Sequence, residues 1–290
     1  MQAELPVRRD PRALLGGALL AAAVVMATLA PLITTGNPAG QHDVVATRLL
    51  PPGSTDRFGT FHLLGTDRLG RDVWTRLAYG ARVSLAVGML AVVLSVGLGV
   101  AVGGAGVLVR GRVSAVLLGL TDFALAVPRV VLLLLLAALW APSVTLVVLV
   151  LGATGWMTIA RLVYTEASSL AARPFAESAL ALGSSRGRLL VRHLLPNLLT
   201  PIVVASALGV GNAILLEAGL SFLGLGVQPP APSWGNMIAA GRDALMDAPW
   251  IAGAPGAALV LVVVGCTLLG DALQDRVGPA RAAERPLSPP

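Results

Sequence analysis

The sequence predicts an all-α polytopic membrane protein with about six transmembrane helices and one helical hairpin outside the bilayer. Composition is the first reason. Hydrophobic residues make up 56% of 290 and charged residues 12%, against roughly 25% charged in an average soluble chain, and mean hydropathy is +0.80. The second reason is the spacing of apolar runs long enough to cross a hydrocarbon core about 30 Å thick, which takes roughly 20 helical residues. The third is a polar insertion at 173–201, RPFAESALALGSSRGRLLVRHLLPNLLTP, between two of those runs.

The runs are Ala13–Ile33, Val83–Val109, Ser114–Trp140, Val144–Val163, Ile202–Leu220 and Trp250–Gly270. The first follows Arg8, Arg9 and Arg12. It exceeds a signal peptide's 7–15-residue apolar core and no small-residue cleavage site follows, so it reads as a retained span. Asp122, Pro128 and Arg129 interrupt the third, which is expected to be broken or to begin late. Trp140, Trp234 and Trp250 fall where indoles anchor at the interface.

Orientation follows from the basic residues, all 21 of them Arg. With the N-terminus inside, 13 of the 21 lie on the inner side, at positions 8, 9, 12, 110, 112, 161, 173, 186, 188, 192, 276, 281 and 285. The long first loop translocates with less regard to charge. Both ends are therefore expected inside. The organisation becomes a cytoplasmic N-terminus (1–12), a first span (13–33), an extracytoplasmic loop (34–82), a five-helix core (83–275) with a cytoplasmic loop at 164–201, and a cytoplasmic tail (276–290). A basic balance in such a chain reports cytoplasmic loops and lipid headgroups, so nucleic acid is not an expected partner.

Within the polar insertion, Pro174 suits the first turn of a helix, and Phe175–Leu182 continue it. Gly183 supplies the left-handed stop. Ser184 or Ser185 then caps a second helix, expected to run to a break at Pro196. Leu180, Leu182, Leu189 and Leu190 form its expected apolar face, with Arg186, Arg188 and Arg192 around it. Such a hairpin reads either as an ordinary basic loop or as a surface that docks on a soluble partner.

Single residues carry alternatives too. Asp122 and Arg129 are seven apart, so one helix would hold them on nearly the same face, toward an aqueous path or each other. Glu217 is ionisable at apolar depth, which points to structure or gating before direct contact with cargo. In GTDRLGRD, Asp67, Arg68, Arg71 and Asp72 form either an extracytoplasmic docking surface or a self-satisfied ion-pair turn. Cys266 is the single cysteine and the three histidines, His42, His62 and His193, are scattered. No local cluster suggests a dedicated metal site. A phosphate-cradling GxxxxGK[ST] loop needs a lysine, and the chain has none.

ESALALG followed by HLLPN resembles the EAA loop of ABC-importer permeases. Glu177, Ala179, Gly183, Leu195 and Pro196 match its pattern, and Ser178 replaces the first alanine. HLLGTDRLGRDVWTRLAYGARVSLAVG (62–88) and EAGLSFLGLGVQPPAPSWGNMIAAGR (217–242) resemble the segments before the second and after the fifth span of dipeptide/oligopeptide/nickel permeases. With ARLVYTEASSL, the likeness covers about 49–275. The chain is similar to the second, C-type permease of such systems, in which an acid is common at the position of Asp122 but serine follows the proline where this chain has Arg129.

That resemblance implies a heteromeric ATP-driven importer: a second permease, two cytoplasmic ATPases that bind ATP and Mg, and an extracytoplasmic substrate-binding protein. This chain would be non-catalytic and hold no cofactor. Glu177, Ser178, Ala179, Gly183, Arg186, Arg188, Leu195 and Pro196 would couple to the ATPases. By their charge at apolar depth, not by the resemblance, Asp122, Arg129 and Glu217 are candidates for the pathway or its gate, with Arg129 attracting a carboxylate such as a peptide C-terminus, snorkelling, or facing the partner permease. Expected cargo is a di- or oligopeptide, with nickel or a nickel chelate as the alternative. A self-sufficient secondary transporter or channel is the competing class, although no internal repeat of the kind such proteins carry is found.

Overall fold

The computed structural model describes residues 10–34, 36–41, 43–109 and 111–277. Most of the expected N-terminal segment (1–9) and tail (278–290), with His42 and Arg110, lies outside them. Among the described residues, five helices are long and apolar enough to cross a membrane, and a bent pair, counted as one span, makes a sixth.

The first span, α1 (Pro11–Thr28), begins at Asp10, whose carboxylate accepts from the Arg12 N–H. The segment after it carries α2 (Ala30–Ile33), α3 (Val44–Thr47) and a two-stranded antiparallel ribbon, β1 (Ser54–Thr55) against β2 (Phe61–His62), with Ser54 opposite His62. The second span, α4 (Val73–Leu108), has 36 residues, about 54 Å at 1.5 Å per residue. It begins ten residues before the expected Val83. Asp72 caps it through the Thr75 N–H, and Arg76 is buried against the Pro38 carbonyl and Asp67. A paired, buried arginine therefore sits inside the helix, before the apolar run begins.

The third span is broken, as the sequence allowed. α5 (Arg112–Ala126) and α6 (Arg129–Ala138) meet at 86°. Val127, the residue before proline, is extended at φ −77°, ψ 128°, as the proline ring demands. α7 (Val144–Ala171) runs eight residues past the expected Val163. The hairpin follows as α8 (Pro174–Ala181) and α9 (Arg186–Leu189).

The expected break at Pro196 is absent. A π-helical turn, Leu190–Leu194, joins α9 to α10 (Leu195–Phe222), and one continuous element runs from Arg186 to Phe222. The Leu195 N–H reaches back to the Leu190 carbonyl. This wider turn precedes Pro196, which has no N–H to offer the usual register. The expected loop 164–201 thus shrinks to the hairpin itself. α11 (Trp234–Gly241) and α12 (Trp250–Val277) are the last helices of the described residues.

Packing divides the bundle into three apolar clusters. One joins α1, α4, α10, α11 and α12 around Trp234 and Ile214; a second joins α4, α6, α7 and α10 around Leu133 and Leu151; a third fastens the hairpin to α7 and α10. α4 and α7 approach closely at Gly99 and Gly103. A Cβ on Gly103 would lie 2.5 Å from the Ala160 carbonyl oxygen. Small residues at such crossings let backbones pack without a side chain between them.

Arg12 pairs with Asp275 at 3.6 Å, and Gln274 lines a cleft with Asn197 and Glu166. The start of α1 and the end of α12 therefore lie at the hairpin end of the bundle.

Candidate functional site

The hairpin closes on a Schellman turn. The Ser184 N–H donates to the Ala179 carbonyl and the Gly183 N–H to the Leu180 carbonyl, both at 3.0 Å. Gly183 has φ +87°, the left-handed region that favours glycine. Ser185, not Ser184, caps α9 through the Arg188 N–H. Of the expected apolar face, Leu189 and Leu190 are buried and Leu180 packs against them, and only Leu182 turns outward. Ala176, Leu189, Leu190 and Leu194 are buried on the bundle, whereas Leu182 is 88% exposed at the tip. Phe175 and Val191 are also exposed, as are Glu177, Ser178, Arg186, Arg188, Arg192 and Pro196, with Ala179 and Leu195 half-buried. Glu177 makes no ion pair with Arg173; only backbone groups link the two, at 3.4 Å. The hairpin thus presents apolar tips within a ring of charges.

The bend at Pro128 separates Asp122 from Arg129, so they do not share a face. Asp122 pairs with Arg161 of α7 at 3.3 Å, both half exposed. Arg129 turns instead into a cleft of about 330 Å³ between α4, α6, α7 and α10. Its Nε donates to Thr154 Oγ1 at 3.5 Å and its Nη2 to the Leu151 carbonyl at 3.3 Å. Ser95, Thr158 and Asn212 supply the cleft's other polar side chains. Ala205 and Leu208 line this cleft and also a second one leading toward Glu166, Asn197 and Gln274 at the hairpin end.

Glu217 is fully buried. Ser84 donates to one carboxylate oxygen at 3.0 Å and Ser221 to the other at 2.7 Å. Each hydroxyl is also an acceptor, Ser84 from the Trp234 N–H and Ser221 from the Val227 N–H. The carboxylate thereby joins α4, α10 and the segment leading into α11. Trp234 is not an interfacial anchor: it is fully buried, and its indole donates to the Leu77 carbonyl at 3.1 Å. Trp140 is exposed, and Trp250 donates to the Thr66 carbonyl.

At the opposite end, the ion-pair turn accounts for most of GTDRLGRD. Asp67 accepts from the backbone of Leu69 and Arg71 and from Arg71 Nε at 2.7 Å, and lies 3.7 Å from Arg76 Nε. Asp67 and Arg71 are buried. Asp72 caps α4 and meets His62 Nδ1 at 2.9 Å. Arg68 is the outward member, 3.6 Å from Asp243. Asp56, beneath His62, titrates below the ordinary aspartate range: burial pushes its carboxyl up, but the Thr60 and Phe58 N–H groups and His62 outweigh it.

The sequence reading missed Ser84, Ser221, Arg161, Thr154 and Gly155. Ser84, Ser221 and Arg161 lie within strings that carry the resemblance but were not singled out there for these contacts, and nothing marked Thr154 or Gly155.

Comparison with known proteins places this geometry. Residues 89–282 match the family described as the binding-protein-dependent transport system inner membrane component. A putative peptide transport system permease protein of Brucella suis is 38% identical over 93% of this chain and 88% of its own length. The dipeptide transport system permease protein of Alkalihalophilus pseudofirmus is 34% identical over 94% of this chain and 87% of its own. An inward-facing structure of the MetNI methionine ABC transporter superposes with a TM-score of 0.58 at 17% identity, covering 70% of this chain and 97% of that one. That likeness is one of fold alone. With the family model spanning most of the helical core and relatives aligned almost end to end, the chain belongs to the inner membrane components of binding-protein-dependent transport systems.

Proposed function

We propose that the chain is the non-catalytic permease subunit of an ATP-driven peptide importer, coupled to its motor through the hairpin. The observation that carries this reading is the outward face of that hairpin. Leu182, Phe175 and Val191 are bare beside Glu177, Arg186 and Arg188, while the opposite face is anchored in the bundle. An exposed apolar tip ringed by charge fits a groove on a soluble protein. The names of the relatives support peptide as cargo.

In this reading the hairpin end is cytoplasmic, and both termini lie there. Two ATPase subunits bind ATP and Mg and receive the hairpin. Gly183 sets its turn, and Leu195 and Pro196 its junction with α10. A second permease completes the pathway, and an extracytoplasmic binding protein delivers cargo to the end that bears Arg68. Asp67, Arg71 and Asp72 hold that end in shape rather than meet the binding protein.

The test is uptake of labelled dipeptide and labelled nickel in cells with and without the chain, together with co-purification of the ATPase. Loss of dipeptide uptake, with ATPase recovery abolished by Gly183→Pro, is the expected result. Loss of nickel uptake alone would overturn the cargo, and full ATPase recovery with Gly183→Pro would overturn the docking.

A further inference from the structure

We propose that Arg129 receives the carboxylate of the transported solute in the mid-bundle cleft, so that this subunit selects for a free acid during passage. Naming the carboxylate as a peptide C-terminus rests on the peptide-importer reading; the charge argument does not.

Arg129 lies over Leu151, Thr154 and Gly155, which fall two to three turns inside the 28-residue α7. A side chain reaching out to the headgroups would not rest there. An ionised group at that depth faces a partner or an aqueous path. Among the described residues no carboxylate stands within 4.0 Å of it, and its nearest acid in sequence, Asp122, is engaged by Arg161. Its two protein contacts, at 3.3 and 3.5 Å, are longer than the roughly 2.7–2.9 Å of a strong charge-assisted bond. A guanidinium has five N–H donors, so about three remain.

Gly155 forms the cleft floor where Ser95 and Arg129 converge: a Cβ there would collide with Ser95 Oγ and sit 3.2 Å from Arg129 Nη2. Thr158 and Asn212 also line the cleft, are exposed to it, and make no side-chain hydrogen bond. A planar cation with spare donors and two free polar groups matches a carboxylate and the amide next to it. The cleft's roughly 330 Å³ is the scale of a small-solute site. The second cleft, sharing Ala205 and Leu208, gives the solute a way on toward the hairpin end.

The experiment uses the assembled transporter with alanyl-alanine and its C-terminal amide as probes. Phenylglyoxal modification of Arg129, resolved by mass spectrometry, should be slowed by the free acid and not by the amide. In proteoliposomes, Arg129→Gln should lower the acid-to-amide uptake ratio about ten-fold, the worth of one charge-assisted hydrogen bond. Arg129→Lys should restore part of it. The binding protein is common to every arm, so its own preference cancels. Equal protection by both probes, or an equal fall in uptake of both, would overturn the site and leave Arg129 a packing residue. Protection by the acid in a transporter that imports neither form would sink the peptide cargo while the carboxylate site stood.

Discussion

Gly183 offers a measurement in which backbone conformation is separated from contact. Its φ of +87° lies in the left-handed region, yet a Cβ placed there meets nothing within 4 Å. Alanine therefore brings no collision, only the strain of an L-residue in that region, about 1–2 kcal/mol. If the hairpin must hold this turn to seat on the ATPase, that strain comes off the association free energy. At 1.4 kcal/mol per decade the affinity should fall roughly 5- to 30-fold. Asparagine tolerates the left-handed region better and should lie between glycine and alanine. Proline both forbids the positive φ and removes the N–H that donates to Leu180, so it should abolish binding. The assay is ATPase-subunit titration onto the purified permease pair, with ATP hydrolysis stimulated by the binding protein as a second readout. Alanine binding as tightly as glycine, or asparagine binding worse than alanine, would refute the argument, because neither ordering follows from backbone strain.

Three further outcomes follow from the packing and the titrating groups. Glu217→Ala leaves the Ser84 and Ser221 hydroxyls without their buried acceptor, at about 1–3 kcal/mol each, and should lower the melting temperature in detergent well below that of Glu217→Gln, which keeps one acceptor oxygen. Gly103→Ala sets a methyl against the Ala160 carbonyl and should destabilise the α4–α7 pair, whereas Gly97→Ala, with nothing within 4 Å, should be neutral or mildly stabilising in the same melt. For Asp56 the folded carboxyl titrates below its ordinary 3.8. The stability it contributes is complete above that value and is lost as pH falls through the lower folded one. Pepsin cleavage of the 56–62 turn should accelerate over that acid window, and Asp56→Asn should remove the pH dependence.

What was legible in the sequence was whatever depends on local order. The six apolar runs, the proline-led start of α8 and the glycine stop at 183 all rest on neighbours within a turn or two, and all are present. Errors arose where a local rule met a tertiary partner. Pro196 should end a helix, but the π turn at Leu190–Leu194 absorbs its missing N–H, and periodicity has no signal for a one-residue change of register. Asp122 and Arg129 share a face only on a straight helix, and Pro128 turns the second away. The apolar run was drawn from Val83, yet the helix begins at Val73 and Arg76 within it is buried beside Asp67. Nor could spacing have joined Ser84 to Glu217 across 133 residues, because that bond exists only once α4 and α10 are packed.

The unbroken path from Arg186 to Phe222 bears on how a hairpin could act on a distant cleft. Had the chain broken at Pro196, a movement of the hairpin would have been lost in a loop. Instead α9, the π turn and α10 form one element of 37 residues, about 55 Å long. Leu189 and Leu190 at its start are buried against α7; Ala205, Leu208 and Asn212 on its middle line the cleft beneath Arg129; Glu217 near its end is tied to α4. With the far end fixed by a buried carboxylate, displacing the hairpin end must swing or bend the middle. The places where it gives are the π turn and Pro201, which interrupts the helix one turn before Ala205, since both weaken the hydrogen-bond ladder. Replacing Pro201 by alanine restores a ladder bond and stiffens the joint. It should therefore leave ATPase docking intact while slowing solute uptake per ATP hydrolysed, measured together in proteoliposomes. Unchanged coupling would mean that the bundle moves as a rigid body, and that the continuity of this element has no part in transmission.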